Sequence, residues 1–162
     1  MKIIINALSA RGGGGQTYVK HLLDNFPKSS KDEVILVAPK SLKLQLNAYS
    51  ITRLNTIALV GYNPIARMIW EIFTLPKIIR KTEAEILFCP GGSLSGNIPK
   101  NCKVVTTFQN MLPFDLDQCK TYSIGYMRFR NWYLRKKLLK SMKRSDLVIF
   151  ISKYAKSVIE LE

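Results

Sequence analysis

Lys2-Ile3-Ile4-Ile5-Asn6-Ala7-Leu8 is followed, after Ser9-Ala10-Arg11, by Gly12-Gly13-Gly14-Gly15 and then by an amphipathic segment over 16–26. The first run is apolar and rich in β-branched isoleucine, the pattern of a strand buried on both faces. In 16–26, Val19, Leu22, Leu23 and Phe26 share one face at helical spacing, while Lys20 and Asp24 point away. A glycine loop between a buried strand and a helix leaves the first-turn N–H groups unpaired and clear of Cβ atoms. Such a loop suits an anion or a sugar pressed against the backbone; a flexible turn without a ligand is the plainer alternative, although a turn needs one or two glycines and not four.

Working outward, strand and helix patterns alternate. Strands are expected over 2–8, 33–38, 85–89, 103–108 and 146–151, with a weaker one near 50–58. Helices are expected over 16–26, weakly over 41–48, over 64–81 with Pro64 at its start and a kink at Pro76, and over 122–143. In 64–81, Ile65, Met68, Ile69, Ile72 and Phe73 make an apolar stripe. Ser152 is placed to cap a last helix. This alternation predicts a three-layer, Rossmann-like α/β domain with a parallel sheet. Ligands of such sheets gather at the carboxyl ends of the strands, where the loops 9–15, 90–96 and 109–117 hold glycines and small polar residues. There are no internal repeats or low-complexity segments.

Several chemistries are disfavoured. The glycines do not fit a dinucleotide fingerprint, because its third glycine falls on Thr17 or Tyr18 and the second strand ends Val37-Ala38-Pro39-Lys40 without an acid. No Gly-Lys-Ser/Thr follows, so the loop is not a nucleoside-triphosphate cradle. Cys89, Cys102 and Cys119 are odd in number and lack Cys-x-x-Cys spacing, as expected of reduced thiols. Asp115-Leu116-Asp117 matches a short metal-binding pattern, but no further acid lies nearby and a solvated loop is the expected reading. His21 is the only histidine, read as a surface residue. Lys2 and Arg11 flank the first strand, and Arg11 reads equally as a phosphate contact or an exposed side chain. No cofactor and no metal site is expected.

A length of 162 residues fits one domain, and a formal charge of +14 predicts an acidic partner. The apolar run at the N-terminus stops too early for a signal peptide, and no stretch reaches the ~20 apolar residues of a spanning helix. From Lys120 to Arg144 there are nine Lys or Arg residues and no Asp or Glu. Interleaved with Tyr126, Phe129, Trp132 and Tyr133, they suit an anionic membrane surface, with Trp132, Arg135, Lys136, Lys137 and Lys140 as the contact residues. The same composition suits nucleic acid, which is the less favoured reading because no strand carries an RNA-recognition signature. A solvated helix packing its leucines on the sheet is the third.

Five segments, in order and spread over nearly the whole chain, resemble the N-terminal domain of a GT-B glycosyltransferase of family 4. They are Gly12-Gly13-Gly14-Gly15-Gln16-Thr17-Tyr18, Trp70-Glu71 ahead of Pro76, Ile86-Leu87-Phe88-Cys89-Pro90-Gly91-Gly92, Gln109-Asn110-Met111-Leu112-Pro113-Phe114, and Ser145-Asp146-Leu147-Val148-Ile149-Phe150-Ile151-Ser152. The resemblance implies two Rossmann-like domains facing a cleft, the first holding mainly the acceptor and the second mainly the nucleotide-sugar donor. It makes 1–162 the acceptor-side domain, without the donor-binding half, so that the chain is expected to be a fragment of a longer enzyme or one subunit of a split one and inactive alone. Substrate contacts are then expected from Gly12, Gly13, Gly14, Gly15, Gln16, Gly91, Gly92, Gln109 and Asn110. Many relatives carry His-Asp or His-Asn where this chain has Gln109-Asn110. Glutamine takes no proton, so its role is a hydrogen bond to a sugar hydroxyl or a developing charge, or else a turn contact with its own backbone. The expected acceptor is a saccharide or lipid-linked sugar of cell-envelope polysaccharide synthesis, met at the inner face of the cytoplasmic membrane. A non-catalytic sugar- or lipid-binding module is the alternative.

Overall fold

The computed structural model describes residues 1–10, 12–27, 31–42, 51–54, 56, 58–122 and 125–160. Six strands form one sheet: β1 (Lys2–Asn6), β2 (Glu33–Val37), β3 (Ile51–Leu54), β4 (Ile86–Cys89), β5 (Lys103–Phe108) and β6 (Leu147–Phe150). Their order is β3-β2-β1-β4-β5-β6, and every pairing is parallel. Among the described residues, seven α-helices connect and follow them: α1 (Gly14–Asp24), α2 (Ala58–Tyr62), α3 (Pro64–Phe73), α4 (Leu75–Thr82), α5 (Leu116–Thr121), α6 (Tyr126–Lys143) and α7 (Lys153–Glu160).

Alternation along each strand divides the core between the two faces of the sheet. Ile4 pairs in register with Leu87 and with Ile35, and on that face Ile4, Leu87 and Val104 pack with Leu75 and Ile79 of α4. On the other face Ile5, Val34 and Leu36 pack with Val19 and Leu23 of α1. A third cluster joins Phe108, Phe114, Leu138, Met142 and Ala155. The expected α/β architecture is therefore the one observed.

Local differences have physical causes. Helix α1 begins at Gly14, two residues earlier than expected, so Gly14 and Gly15 make its first turn and Gly13 is its N-cap. The expected helix over 64–81 is two helices meeting at Thr74, because Pro76 has no N–H to return to the carbonyl of Ile72. Asn63 starts α3, its Oδ1 accepting from the Ile65 and Ala66 N–H groups at 2.8 and 3.2 Å. The apolar stripe of α3 faces outward: Ile65, Ile69 and Phe73 are exposed, and Glu71 is the buried residue of the helix. The loop 109–117 contains a 3₁₀ turn (Leu112–Phe114) and the start of α5, which the sequence did not suggest; α6 accordingly begins at Tyr126 and not at Tyr122. Asp115 Oδ1 caps α5 by accepting from the Gln118 N–H at 2.9 Å, so it lies in a helix cap instead of a solvated loop. Ser152 Oγ accepts from the Ala155 N–H at 3.0 Å, the expected cap of α7. Strand β6 is the sheet edge, and Leu147 and Ile149 are exposed on one of its faces, against the expectation of a fully buried strand. Most of the weak helix over 41–48 lies outside the described residues, as does Arg11.

Candidate functional site

The direction in which the chain winds reverses between neighbours β1 and β4: β1 leads to β2 and β3, while β4 leads to β5 and β6. The crevice outside the strand ends at such a reversal is where open α/β sheets seat ligands. The loops after β1 and β4 meet there, since a Cβ on Gly91 would collide with the Ser9 hydroxyl. The loop after β4 also presses on β5: Gly92, at φ 71°, would place a Cβ 2.9 Å from the Thr107 carbonyl oxygen and 3.3 Å from Leu138. Gly92 is buried and spends its missing side chain on packing, whereas Gly91 is exposed.

The four-glycine loop behaves differently. Gly12, Gly13 and Gly14 are exposed, and Cβ atoms built on them meet nothing within 4 Å. No fold contact requires these glycines to be bare. The Gln16 and Thr17 N–H groups turn back to the Gly13 carbonyl at 3.1 and 3.3 Å, while those of Gly14 and Gly15 donate to nothing among the described residues. They make an open, partly positive end of an eleven-residue helix without a side-chain cap. Gln16 itself lines a hollow on the flank of α1 with Thr17, Lys20 and His21, and His21 is exposed. Beyond β5, Gln109 is half-buried, its Nε2 enclosed without a hydrogen-bond partner among the described residues, and Asn110 is exposed.

A cleft of about 400 Å³ opens from this end of the sheet between α3 and α6. Ser9 stands at its head, Pro64 and Arg67 form one wall, and Tyr126, Arg130 and Tyr133 are on the other. Arg67 Nη1 donates to the Leu8 carbonyl at 3.3 Å, which ties α3 to the end of β1. Beneath, the Asn6 side-chain amide donates to Glu71 Oε1 at 3.1 Å, and Glu71 Oε2 is buried without a hydrogen-bond partner among the described residues. A second hollow of about 310 Å³ continues down the same pair of helices towards Arg144, and Tyr133 lines both. Ser9, Arg67, Arg130 and Ser95 carry no local sequence signal, because crossovers tens of residues long bring them together.

The basic residues of α6 diverge. Trp132 is 51 % exposed, and the Lys136 ammonium sits over its ring at 4.2 Å from the centroid. Lys140 is exposed and Lys137 is half-buried, both on the α3 side. Arg135 lies over the Phe114 ring at 5.9 Å, on the opposite flank with Cys119 and Lys120. Burial lowers the pKa of the Lys137 ammonium, with the Glu71 carboxylate acting in the other sense.

Cys89 is fully enclosed and its thiol pKa is pushed up by burial; that of Cys102 is pushed up, chiefly by burial, to about 11. Both are free and neutral at ordinary pH, which disqualifies them as nucleophiles. Among the described residues no three His, Cys, Asp or Glu side chains gather closely enough to hold a metal, and no helix is long and apolar enough to cross a membrane.

The family model described as Glycosyltransferase Family 4 matches residues 12–161, nearly the whole chain. No curated protein and no solved structure matches.

Proposed function

Because this chain belongs to glycosyltransferase family 4, we propose that it is the acceptor-binding half of a glycosyltransferase acting on a saccharide or lipid-linked acceptor in cell-envelope polysaccharide synthesis. The observation that carries this reading is the cleft of about 400 Å³ headed by Ser9 at the β1–β4 reversal, where polar, cationic and aromatic side chains face one another. Aromatic faces and hydrogen-bonding groups suit a sugar ring. The unpaired Gly14 and Gly15 N–H groups suit a hydroxyl or anionic oxygen. The enclosed Gln109 Nε2 is a donor awaiting an acceptor, and glutamine offers hydrogen bonding without proton transfer. The nucleotide-sugar donor is then held mainly by a second domain or a separate subunit, and no metal or organic cofactor takes part in this half.

The same reading places the domain at the inner face of the cytoplasmic membrane. Ile65, Ile69 and Phe73 of α3 and Tyr126, Phe129 and Trp132 of α6 are exposed, and Lys136, Lys137 and Lys140 of α6 form no ion pair with a described carboxylate. Rings at head-group depth and lysines against anionic lipid both favour such contact.

Two measurements test these claims. In amide-resolved NMR of the labelled chain, short glycolipid phosphates should shift the resonances of 12–16 and 109–110, whereas UDP-glucose alone should leave them nearly unmoved. If no glycolipid perturbs these amides, the acceptor reading fails. Flotation should show binding to anionic vesicles and not to neutral ones, weakening as the Debye length falls from ~10 Å at 0.1 M salt to ~3 Å at 1 M. Equal binding to both vesicle types, no binding, or complete displacement by RNA would reject the membrane claim.

A further inference from the structure

We infer that the lower groove between α3 and α6 is a binding site for the phosphate or diphosphate of a lipid-linked acceptor, together with the first length of its apolar chain. The inference rests on the acceptor reading above and specifies which part of that acceptor the flank of the domain takes.

The groove, about 310 Å³ in volume, is divided by chemistry. Met68, Ile72 and Trp132 give it apolar walls, while Lys136, Lys137, Lys140 and Arg144 supply four cations. None of the three lysines forms an ion pair with a described carboxylate. Arg144 is held in place, its Nη2 donating to the Gly96 carbonyl at 2.6 Å and to Asn97 Oδ1 at 3.1 Å, which leaves Nη1 for a ligand. Ser95, which also lines the groove, has a buried hydroxyl with no hydrogen-bond partner among the described residues. A phosphate oxygen would supply it. Lys137 is partly desolvated, so an anion brought against its ammonium offsets a cost that water no longer offsets.

Charge alone does not account for this surface, and neither does apolarity. Lys136 stands at 4.2 Å over the Trp132 ring, so cation and apolar wall are contiguous, as the junction between a phosphate and a hydrocarbon chain requires. Inorganic phosphate would leave Met68, Ile72 and Trp132 uncovered, and an uncharged lipid would leave four cations unmatched. Tyr133 joins the groove to the cleft above, so one molecule can keep its phosphate low on the helix pair and its sugar near the strand ends.

The test uses the purified 162-residue chain in calorimetric titration with farnesyl diphosphate below its micelle-forming concentration, with inorganic diphosphate and with farnesol. Farnesyl diphosphate should bind at least about tenfold more tightly than either part, since both halves of the groove contribute. Lys140→Gln and Lys137→Gln should each weaken it by roughly three- to tenfold, the scale of one charge-assisted contact near a surface. Lys20→Gln on α1 should not. Lys140 is exposed, so its variant is expected to fold, and circular dichroism checks this. Inorganic diphosphate binding as tightly as the farnesyl compound, no binding of the farnesyl compound, or equal losses in Lys20→Gln and Lys140→Gln would overturn the inference. Such a failure alongside glycolipid shifts at 12–16 would remove the groove and leave the acceptor reading standing.

Discussion

Alanine at Gly13 and alanine at Gly14 should have opposite effects on stability, although the two residues are neighbours in one exposed loop. Gly13 sits at φ 58° and ψ −146°, a region that is essentially glycine-only and costs another residue about 1–3 kcal/mol. A Cβ there meets nothing within 4 Å, so the penalty is purely conformational. Gly14 has no positive φ and begins α1, where alanine gains up to about 1 kcal/mol over glycine. At roughly 2–4 °C per kcal/mol for a chain of this size, Gly13→Ala should lower the melting temperature by about 2–12 °C. Gly14→Ala should leave it unchanged or raise it by a few degrees.

Function should separate the pair the other way. A methyl on Gly14 stands between ligand and backbone, and losing a hydrogen bond to a charged or polar oxygen costs about 1–3 kcal/mol, or roughly 5- to 150-fold in acceptor affinity. Thermal melts followed by circular dichroism give the first quantity, and glycolipid titration gives the second. Equal melting of both variants would refute the backbone argument. Unchanged acceptor affinity in Gly14→Ala would return the loop to a simple turn.

Three further outcomes follow from packing and titration. Gly96→Ala should lose at least about 1–3 kcal/mol in urea unfolding, because the new Cβ collides with the Glu71 carbonyl oxygen and lies 3.3 Å from Ile72 Cα, both backbone; an unchanged midpoint would contradict it. Asn131 is buried and, among the described residues, has only a 3.7 Å contact to Cys119 Sγ, with Oδ1 unpartnered, so Asn131→Leu should change stability by no more than about 1 kcal/mol or raise it, and a large loss would mean that the amide has a further partner. The Val104 N–H at 2.8 Å and the Lys103 ammonium at 2.9 Å hold the Asp146 carboxyl below its ordinary 3.8. Its contribution is therefore present above that value and lost as pH falls through the lower folded one, so Asp146→Asn should flatten the acid limb of the stability curve; an unaltered limb would exclude it.

The sheet was legible because its central strands are buried on both faces and read as apolar runs; Ile4 and Ile5 enter opposite clusters, as a central strand must. The ends of elements were less legible. Helix α5 is six residues long and starts from an aspartate cap, too short for a periodic signal, and it lies ahead of the expected helix over 122–143, in what read as a loop. Strand β6 has the composition of a buried strand, yet Leu147 and Ile149 are exposed because it is an edge and no described element covers that face. In the candidate site, the glycine loop and Gln109 announce themselves by local pattern. Ser9, Arg67, Arg130, Ser95 and Arg144 do not, since their association depends on the crossover that sets α3 beside α6.

The apolar stripe of α3 was legible in the sequence, but the direction it faces was not. Helical periodicity shows that one face is apolar, and the usual inference that this face turns inward assumes water on the other side. Here the inward face carries Trp70, Arg67 and Glu71, and each polar member has a partner at the end of β1: Asn6 for the Glu71 carboxylate and the Leu8 carbonyl for Arg67. Burying a carboxylate is costly unless it is paired; the Asn6 bond meets part of that cost, Glu71 Oε2 has no partner among the described residues, and Trp70 adds apolar packing to the same face. The outward face then leaves Phe73 at 63 % and Ile65 at 64 % exposure, while Met68 and Ile72 of the same stripe line the groove with Lys136, Lys137 and Lys140 of α6. Water does not favour that arrangement, because apolar area withheld from burial forgoes about 25 cal/mol per Å². An anionic bilayer favours it on both counts, taking the isoleucines and aromatic rings into its interface and the lysines against its head groups. The inverted helix thus supports the membrane reading independently of the charge count that first suggested it.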